Sequence, residues 1–190
     1  MTAEEAAARI RPNAELLKLN GGGITFSGGE ALAQPEFVLE TRQLLSDLHA
    51  CIETSGFAAE AVYQKVAEQM DLVIQDIKLM DCSQHLRWTG VENTQILKNI
   101  HWLKESGIPF RIRIPLIPGV TDTRENLAAA ADFLRGSSKL EKVELMRYNR
   151  AAGAKYAGLN MKYQPDFQTD LEPKVWTQPF EEAGLPCGIL

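Results

Sequence analysis

Apolar residues recur along this chain with two alternating periods. Ile24, Thr25 and Phe26 form a short β-branched and aromatic run closed by glycines on both sides. Residues 35–48 then place Phe37, Thr41, Leu44, Leu45 and Leu48 on one helical face. The pattern repeats: a strand at 50–53, a helix at 58–70, a buried strand at 72–77 and a helix at 94–106 that stops at Gly107 and Pro109. A strand at 110–116, a helix at 123–134 with Asp122 and Glu125 as a capping pair, and a strand at 142–146 follow. Residues 2–19 read as a helix interrupted by Pro12. Pro173 suits the first turn of a last helix reaching Ala183, before a short strand at 187–190. Residues 148–171 carry neither period; they are polar, glycine-hinged and aromatic-bearing.

Repeated strand–helix alternation predicts an α/β fold with a parallel sheet and helical crossovers. Five strong strands are too few for an eight-fold barrel of ~250 residues. The choice lies between an open doubly wound sheet and a partial barrel. In both, ligands belong at the C-terminal strand ends.

Composition narrows the class. A chain of 190 residues, 45% hydrophobic and 24% charged, suits one domain with a sizeable core. A net charge of −5 argues against nucleic-acid and anionic-membrane partners. No apolar run is long enough to span a bilayer, and the alanine- and glutamate-rich start has no apolar signal core. Cys51, Cys82 and Cys187 lie far apart, with no metal-binding spacing. Together these predict a reduced, cytoplasmic protein.

The strand-end rule gathers the polar residues. Gly28, Gly29 and Glu30 follow the first strand, where bare backbone admits a ligand. Glu53 ends the second. Asp76 and Lys78 end the third, two apart and facing the same way. Arg111 and Arg113 share a face of the fourth, and Tyr148, Asn149 and Arg150 follow the fifth. Such a set suits a zwitterion, with carboxylates for an ammonium and Lys or Arg for a carboxylate. Read without any family, Asp76 and Lys78 also suit acid–base or Schiff-base chemistry in a metal-independent α/β-barrel enzyme.

The ITFSGGE run resembles the GGE strand of radical S-adenosylmethionine (SAM) enzymes, specifically the activating enzymes of glycyl radical enzymes, of which the pyruvate formate-lyase type is one. Further matches occur in order: Ile52 to Gly56, the Asp76-Ile77-Lys78 strand, Arg113 with the Pro118-Gly119-Val120-Thr121-Asp122 turn, and Tyr148-Asn149-Arg150 with Gly153, Lys155 and Tyr156. The resemblance implies a partial TIM-type (βα)6 barrel, SAM as cosubstrate and a [4Fe–4S] cluster. It implies reductive cleavage of SAM to a 5′-deoxyadenosyl radical that takes a hydrogen atom from a glycine of the partner. The implied partners are a glycyl radical enzyme of formate-lyase, dehydratase or carbon–nitrogen lyase type, and an electron donor such as flavodoxin or ferredoxin.

By the same resemblance, the Gly28-Gly29-Glu30 turn receives the methionine ammonium, through backbone carbonyls and the Glu30 carboxylate. Asp76 and Lys78, with the Ile77 backbone, lie against the methionine carboxylate. Glu53 and Asp76 hold a monovalent cation. Arg113 faces the SAM carboxylate or sulfonium, and Asn149 reaches the ribose or adenine. Residues 148–171 line the docking surface for the partner. The family's CxxxCxxC cluster motif would precede Thr2, and the chain's three cysteines match neither its position nor its spacing. The chain therefore reads as a barrel truncated at its first strand, with no catalytic residue and no cluster of its own. A SAM-binding or partner-docking remnant of such an enzyme is the alternative.

Overall fold

A computed structural model describes residues 1–148, 162 and 165–190. Six strands, β1 (Gly23–Phe26), β2 (His49–Thr54), β3 (Leu72–Asp76), β4 (Phe110–Leu116), β5 (Leu140–Arg147) and β6 (Cys187–Ile189), form one sheet in the order of the sequence. Every neighbouring pair is parallel. Sequential order decides between the two sheet types. Each right-handed crossover steps in the same direction, so the helices pack on one face and the other face becomes a concave interior. A doubly wound sheet needs a reversal of order, and there is none among the described strands. The fold is a partial barrel whose described edges are β1 and β6.

Strand alternation sorts the side chains between the two faces. On β4, Phe110, Ile112, Ile114 and Leu116 are fully buried, whereas Arg111, Arg113 and Pro115 are only partly so. The apolar set packs against α4 (Glu60–Ala67), α6 (Thr94–Ser106) and α7 (Arg124–Leu134), through Tyr63, Val66, Ile100, Leu103, Leu127 and Leu134. A second, smaller cluster of Ala7, Ala14, Leu45 and Leu48 seats α1 (Ala3–Ile10) and α2 (Ala14–Leu19) beside β1. Pro12 sits in the 3₁₀ turn between these two helices, as its missing N–H requires.

Several element boundaries differ from expectation, each for a local reason. The helix expected over 35–48 ends as α3 (Pro35–Leu44). Arg42 donates to the carbonyls of Leu45 and Leu48, so the chain there turns into the core without continuing the helix. Cys82 does not lie in a loop: it opens α5 (Cys82–Thr89), whose start is capped by Asp81 accepting from Gln84 N and whose end is Gly90 at φ 81°. Asp122 does not cap α7; Thr123 does. Asp122 is buried and accepts instead from the backbone N–H groups of Gly119 and Lys174. With Trp176 also donating to the Asp122 carbonyl, the chain after Pro173 is held extended, and α8 forms only at Gln178–Glu182.

Candidate functional site

The interior face of the sheet carries charge where its outer face carries core. Following the pleat from β2 to β5, Glu53, Asp76, Arg111, Arg113 and Glu144 all point inward, at paired register positions such as Asp76 beside Arg113 and Arg113 beside Glu144. A cleft of about 280 Å³ opens at the C-terminal strand ends, bounded by Ser27 to Glu30, Glu53 to Ser55, Ile74, Asp76, Lys78, Arg113 and Met146. Eight of the nine expected site residues are described, and all but Ile77 line this one cleft. Asn149 lies outside the described residues. A larger groove of about 500 Å³ lies between α3 and α4, where Arg42 and Lys65 belong to the helical layer and no strand end contributes.

The Gly28–Gly29 turn is the barest part of the cleft. A Cβ built at either glycine meets nothing within 4 Å, and Gly28 has φ 125°, a conformation other residues avoid. Glu30 beside it, expected to meet an ammonium, is hydrogen-bonded to the protein through both carboxylate oxygens. Its Oε1 accepts from Thr54 Oγ1 at 2.6 Å and Leu32 N at 3.1 Å. Its Oε2 accepts from Ser55 N at 2.9 Å and Ser55 Oγ at 2.5 Å. The carboxylate is thus a clasp joining the loop after β1 to the loop after β2. Burial pushes its pKa up, but the Ser55 and Thr54 donors outweigh that and hold it below the usual carboxylate range.

Further along, charges are paired across strands. Lys78 Nζ lies 3.0 Å from Asp76 Oδ2. Glu53 is bridged on both oxygens, by Ser27 Oγ at 2.9 Å and Arg113 Nη1 at 2.6 Å. Burial opposes its ionisation, but Ser27 and Arg113 prevail and its pKa is lowered. Arg113 and Lys78 are thus the counter-charges of Glu53 and Asp76, the two carboxylates expected to hold a monovalent cation. Among the described residues no group of three or more His, Cys, Asp or Glu gathers for a metal ion. Ile77 turns its side chain into the core, and its N–H donates to the Arg113 carbonyl.

A family model of the radical SAM superfamily covers residues 1–133. The chain belongs to the radical SAM superfamily. This radical SAM chain is 35% identical, over its whole length, to the (2S)-3-sulfopropanediol dehydratase activating enzyme of Klebsiella oxytoca, and spans 63% of that protein. It is 32% identical, over 85% of its length, to the choline trimethylamine-lyase activating enzyme of Oleidesulfovibrio alaskensis, and spans 54% of it. A crystal structure of a domain of pyruvate-formate lyase-activating enzyme from Bacteroides vulgatus superposes with a TM-score of 0.71 at 28% identity, covering 89% of this chain and 99% of that one.

The thiols of this radical SAM chain do not fit an iron–sulfur cluster, which needs thiolates brought together. Cys51 is on β2 and Cys187 on β6, with β3, β4 and β5 between them, and Cys82 starts α5. Burial pushes the Cys51 and Cys187 thiols up to about 11, away from the ligating form. Anaerobic reconstitution of this 190-residue chain with iron and sulfide should leave iron at background and no [4Fe–4S] signal by EPR after reduction. A stoichiometric cluster would overturn this assignment of the thiols.

Other residues that shape the site stand outside the expected set. Three buried asparagines hold the loops that carry it. Asn126 Nδ2 donates to the carbonyls of Lys78 and Thr121, and Asn93 to those of Leu79 and Met80. Asn99 binds the carbonyls of Gly56 and Ala58. Glu144 is buried on β5 and bonded to Arg113 Nε at 2.9 Å. After β5, Tyr148 packs edge-on against Phe167, as does Trp88 of α5, with ring centroids at 5.2 and 6.5 Å. Of the expected docking segment 148–171, positions 149–161 and 163–164 lie outside the described residues. No helix among the described residues is long and apolar enough to cross a membrane.

Proposed function

We propose that this chain forms the SAM-binding barrel of an activating enzyme, one that installs a glycyl radical on a partner enzyme by reductive cleavage of SAM. The observation that carries the reading is the convergence of the bare Gly28–Gly29 turn and the Asp76–Lys78 pair on a single strand-end cleft. A SAM methionine end needs an oxygen-lined pocket for its ammonium and a cation for its carboxylate. The turn's carbonyls and Asp76 serve the first need, and Lys78 the second. Arg113, beside Asp76 on the neighbouring strand, lies between Glu53 and Glu144 as a fixed donor.

In the superfamily a [4Fe–4S] cluster supplies the electron for the cleavage, and no residue of this chain is assigned to holding it. Flavodoxin or ferredoxin is the matching class of electron source, and a reduced cytoplasm the matching compartment. The partner is proposed as a glycyl radical enzyme of dehydratase or carbon–nitrogen lyase type, the classes suggested by the names of the relatives above. The placement of the thiols favours a second reading, a SAM-binding or partner-docking module that does not itself carry the cluster.

Calorimetry tests the site. Lys78→Ala removes one charge-assisted contact and should weaken SAM binding by about ten- to a hundredfold, since such bonds contribute roughly 1.5–3 kcal/mol. Equal affinity in wild type and variant would place Lys78 outside the ligand's reach. Mixing the chain with reduced donor, SAM and a candidate partner then separates the two readings: a glycyl radical signal marks an activase and would also overturn the assignment of the thiols above, and SAM binding without a radical marks the module.

A further inference from the structure

Arg113 is an awkward residue for the wall of a cleft that takes a sulfonium. Its side chain is 22% exposed and lines the cavity, and an uncompensated guanidinium there would repel a cationic ligand. It is compensated twice. Glu53 meets its Nη1 at 2.6 Å from the cleft side, and Glu144, buried beside it on β5, meets its Nε at 2.9 Å. Glu144 is only 5% exposed, and its other oxygen is 3.8 Å from Arg111 Nη1. Arg111 in turn is paired with Glu141 at 2.9 Å, so the two cancel and leave the charge of Glu144 for Arg113.

The charge count follows. Glu30, Glu53 and Asp76 oppose Lys78 and Arg113 around the cleft, leaving one negative charge in excess; Glu144 beside Arg113 makes two. Lys142, one layer lower on β5 and beside Gly188, returns one positive charge at the far edge of the sheet. A buried ion pair gives little net stability over apolar packing of the same shape. The double pairing of Arg113 is better accounted for by its effect on the cleft: it turns an arginine from a charge into a rigid hydrogen-bond donor.

We propose that Glu144 is a specificity-determining residue: it neutralises Arg113 from the neighbouring strand and so lets the cleft favour the sulfonium of SAM over the neutral thioether of S-adenosylhomocysteine. The inference rests on the SAM-binding reading above and deepens it. The two ligands differ by one methyl group and one positive charge, so their affinity ratio reads the field at the sulfur.

The test is calorimetry of both ligands with wild type, Glu144→Gln, Glu144→Asp and Arg113→Gln/Glu144→Gln. Glu144→Gln keeps the shape and removes the charge. It should lower SAM affinity by about five- to tenfold, the size expected for one charge at an intermediate effective dielectric, and change S-adenosylhomocysteine affinity less than about twofold. Glu144→Asp keeps the charge and should keep the ratio. The double variant removes one charge of each sign and should restore the ratio, although both affinities fall with the lost donors. Equal losses for both ligands in Glu144→Gln would overturn the proposal. If that variant does not fold, a double variant that fails to discriminate overturns it, and one that discriminates as wild type does supports it. Binding of neither ligand by wild type would overturn the SAM site itself, and this inference with it.

Discussion

A glutamine in place of Glu30 should cost the chain about 2 kcal/mol of stability, although it is the closest isostere available. The reason is that each oxygen of this carboxylate faces a backbone N–H, Leu32 N on one side and Ser55 N on the other. An amide offers oxygen to only one of them and turns two N–H donors toward the other. The hydroxyls of Thr54 and Ser55 can rotate to accept, but the backbone N–H cannot. For a chain of this size the loss corresponds to a melting temperature lower by about 4–8 °C. The same clasp sets a pH dependence. Its folded pKa lies below the ordinary value of 4.5, so its stabilisation is fully present above that pH and is lost as the pH falls through the folded value. Wild type should therefore lose stability on acidification below about pH 4.5, and Glu30→Gln should lose less over the same interval. Thermal unfolding followed by circular dichroism at pH 7 and pH 4 measures both effects. A variant as stable as wild type at pH 7 would mean that the clasp does not tie the two loops.

The expectation for Glu30 shows where the sequence stops being informative. Its place after a glycine pair marked it as a site residue, and the structure does put it at the cleft. Apart from Leu32 N, its partners are 24 and 25 positions away, so nothing local distinguishes a clasp from a ligand contact. Glu144 escaped notice for the opposite reason. It sits among Val143, Leu145 and Met146, and only the β4–β5 register brings it beside Arg113. By contrast β4 was legible over its whole span, because Phe110, Ile112, Ile114 and Leu116 alternate with residues a core would not bury. The helix Thr94–Ser106 was equally legible from its apolar stripe and its glycine stop. Helix α5 had its signals, Asp81 with Gln84 at its start and Gly90 at its end. It buries only His85, so no apolar stripe drew attention to it. That the strands pair in sequential order is a fact about crossovers, and periodicity carries no information on it. Three asparagines that hold loops from within the core were invisible as well, since a lone Asn in a helix or turn reads as solvent-facing.

Gly23, which opens β1, and Gly29, beyond its end, should differ in stability on gaining the same methyl group, and together they separate the frame from the site. At Gly23 a Cβ would stand 2.1 Å from the His49 carbonyl oxygen and 2.8 Å from its carbon, both backbone atoms of the paired strand. Neither can swing aside, so Gly23→Ala must push β1 off β2 at the start of their register. Overpacking of this kind costs about 1–3 kcal/mol or more, and the melting temperature should fall by about 2–12 °C. Because β1 delivers the Gly28–Gly29 turn to the cleft, SAM affinity should fall with it. At Gly29 a Cβ meets nothing within 4 Å, and the backbone is not left-handed. Gly29→Ala should therefore leave the melting temperature within about 1–2 °C of wild type, since surface changes of this kind stay within ±0.5 kcal/mol. The methyl would still occupy the space through which a ligand reaches the turn's carbonyls, so SAM binding should weaken by about tenfold or more. Paired melting curves and calorimetric titrations of the two variants give the comparison. Undiminished SAM binding by Gly29→Ala would remove the turn from the ligand site, and an unchanged melting temperature for Gly23→Ala would mean that the β1–β2 register tolerates a side chain at that position.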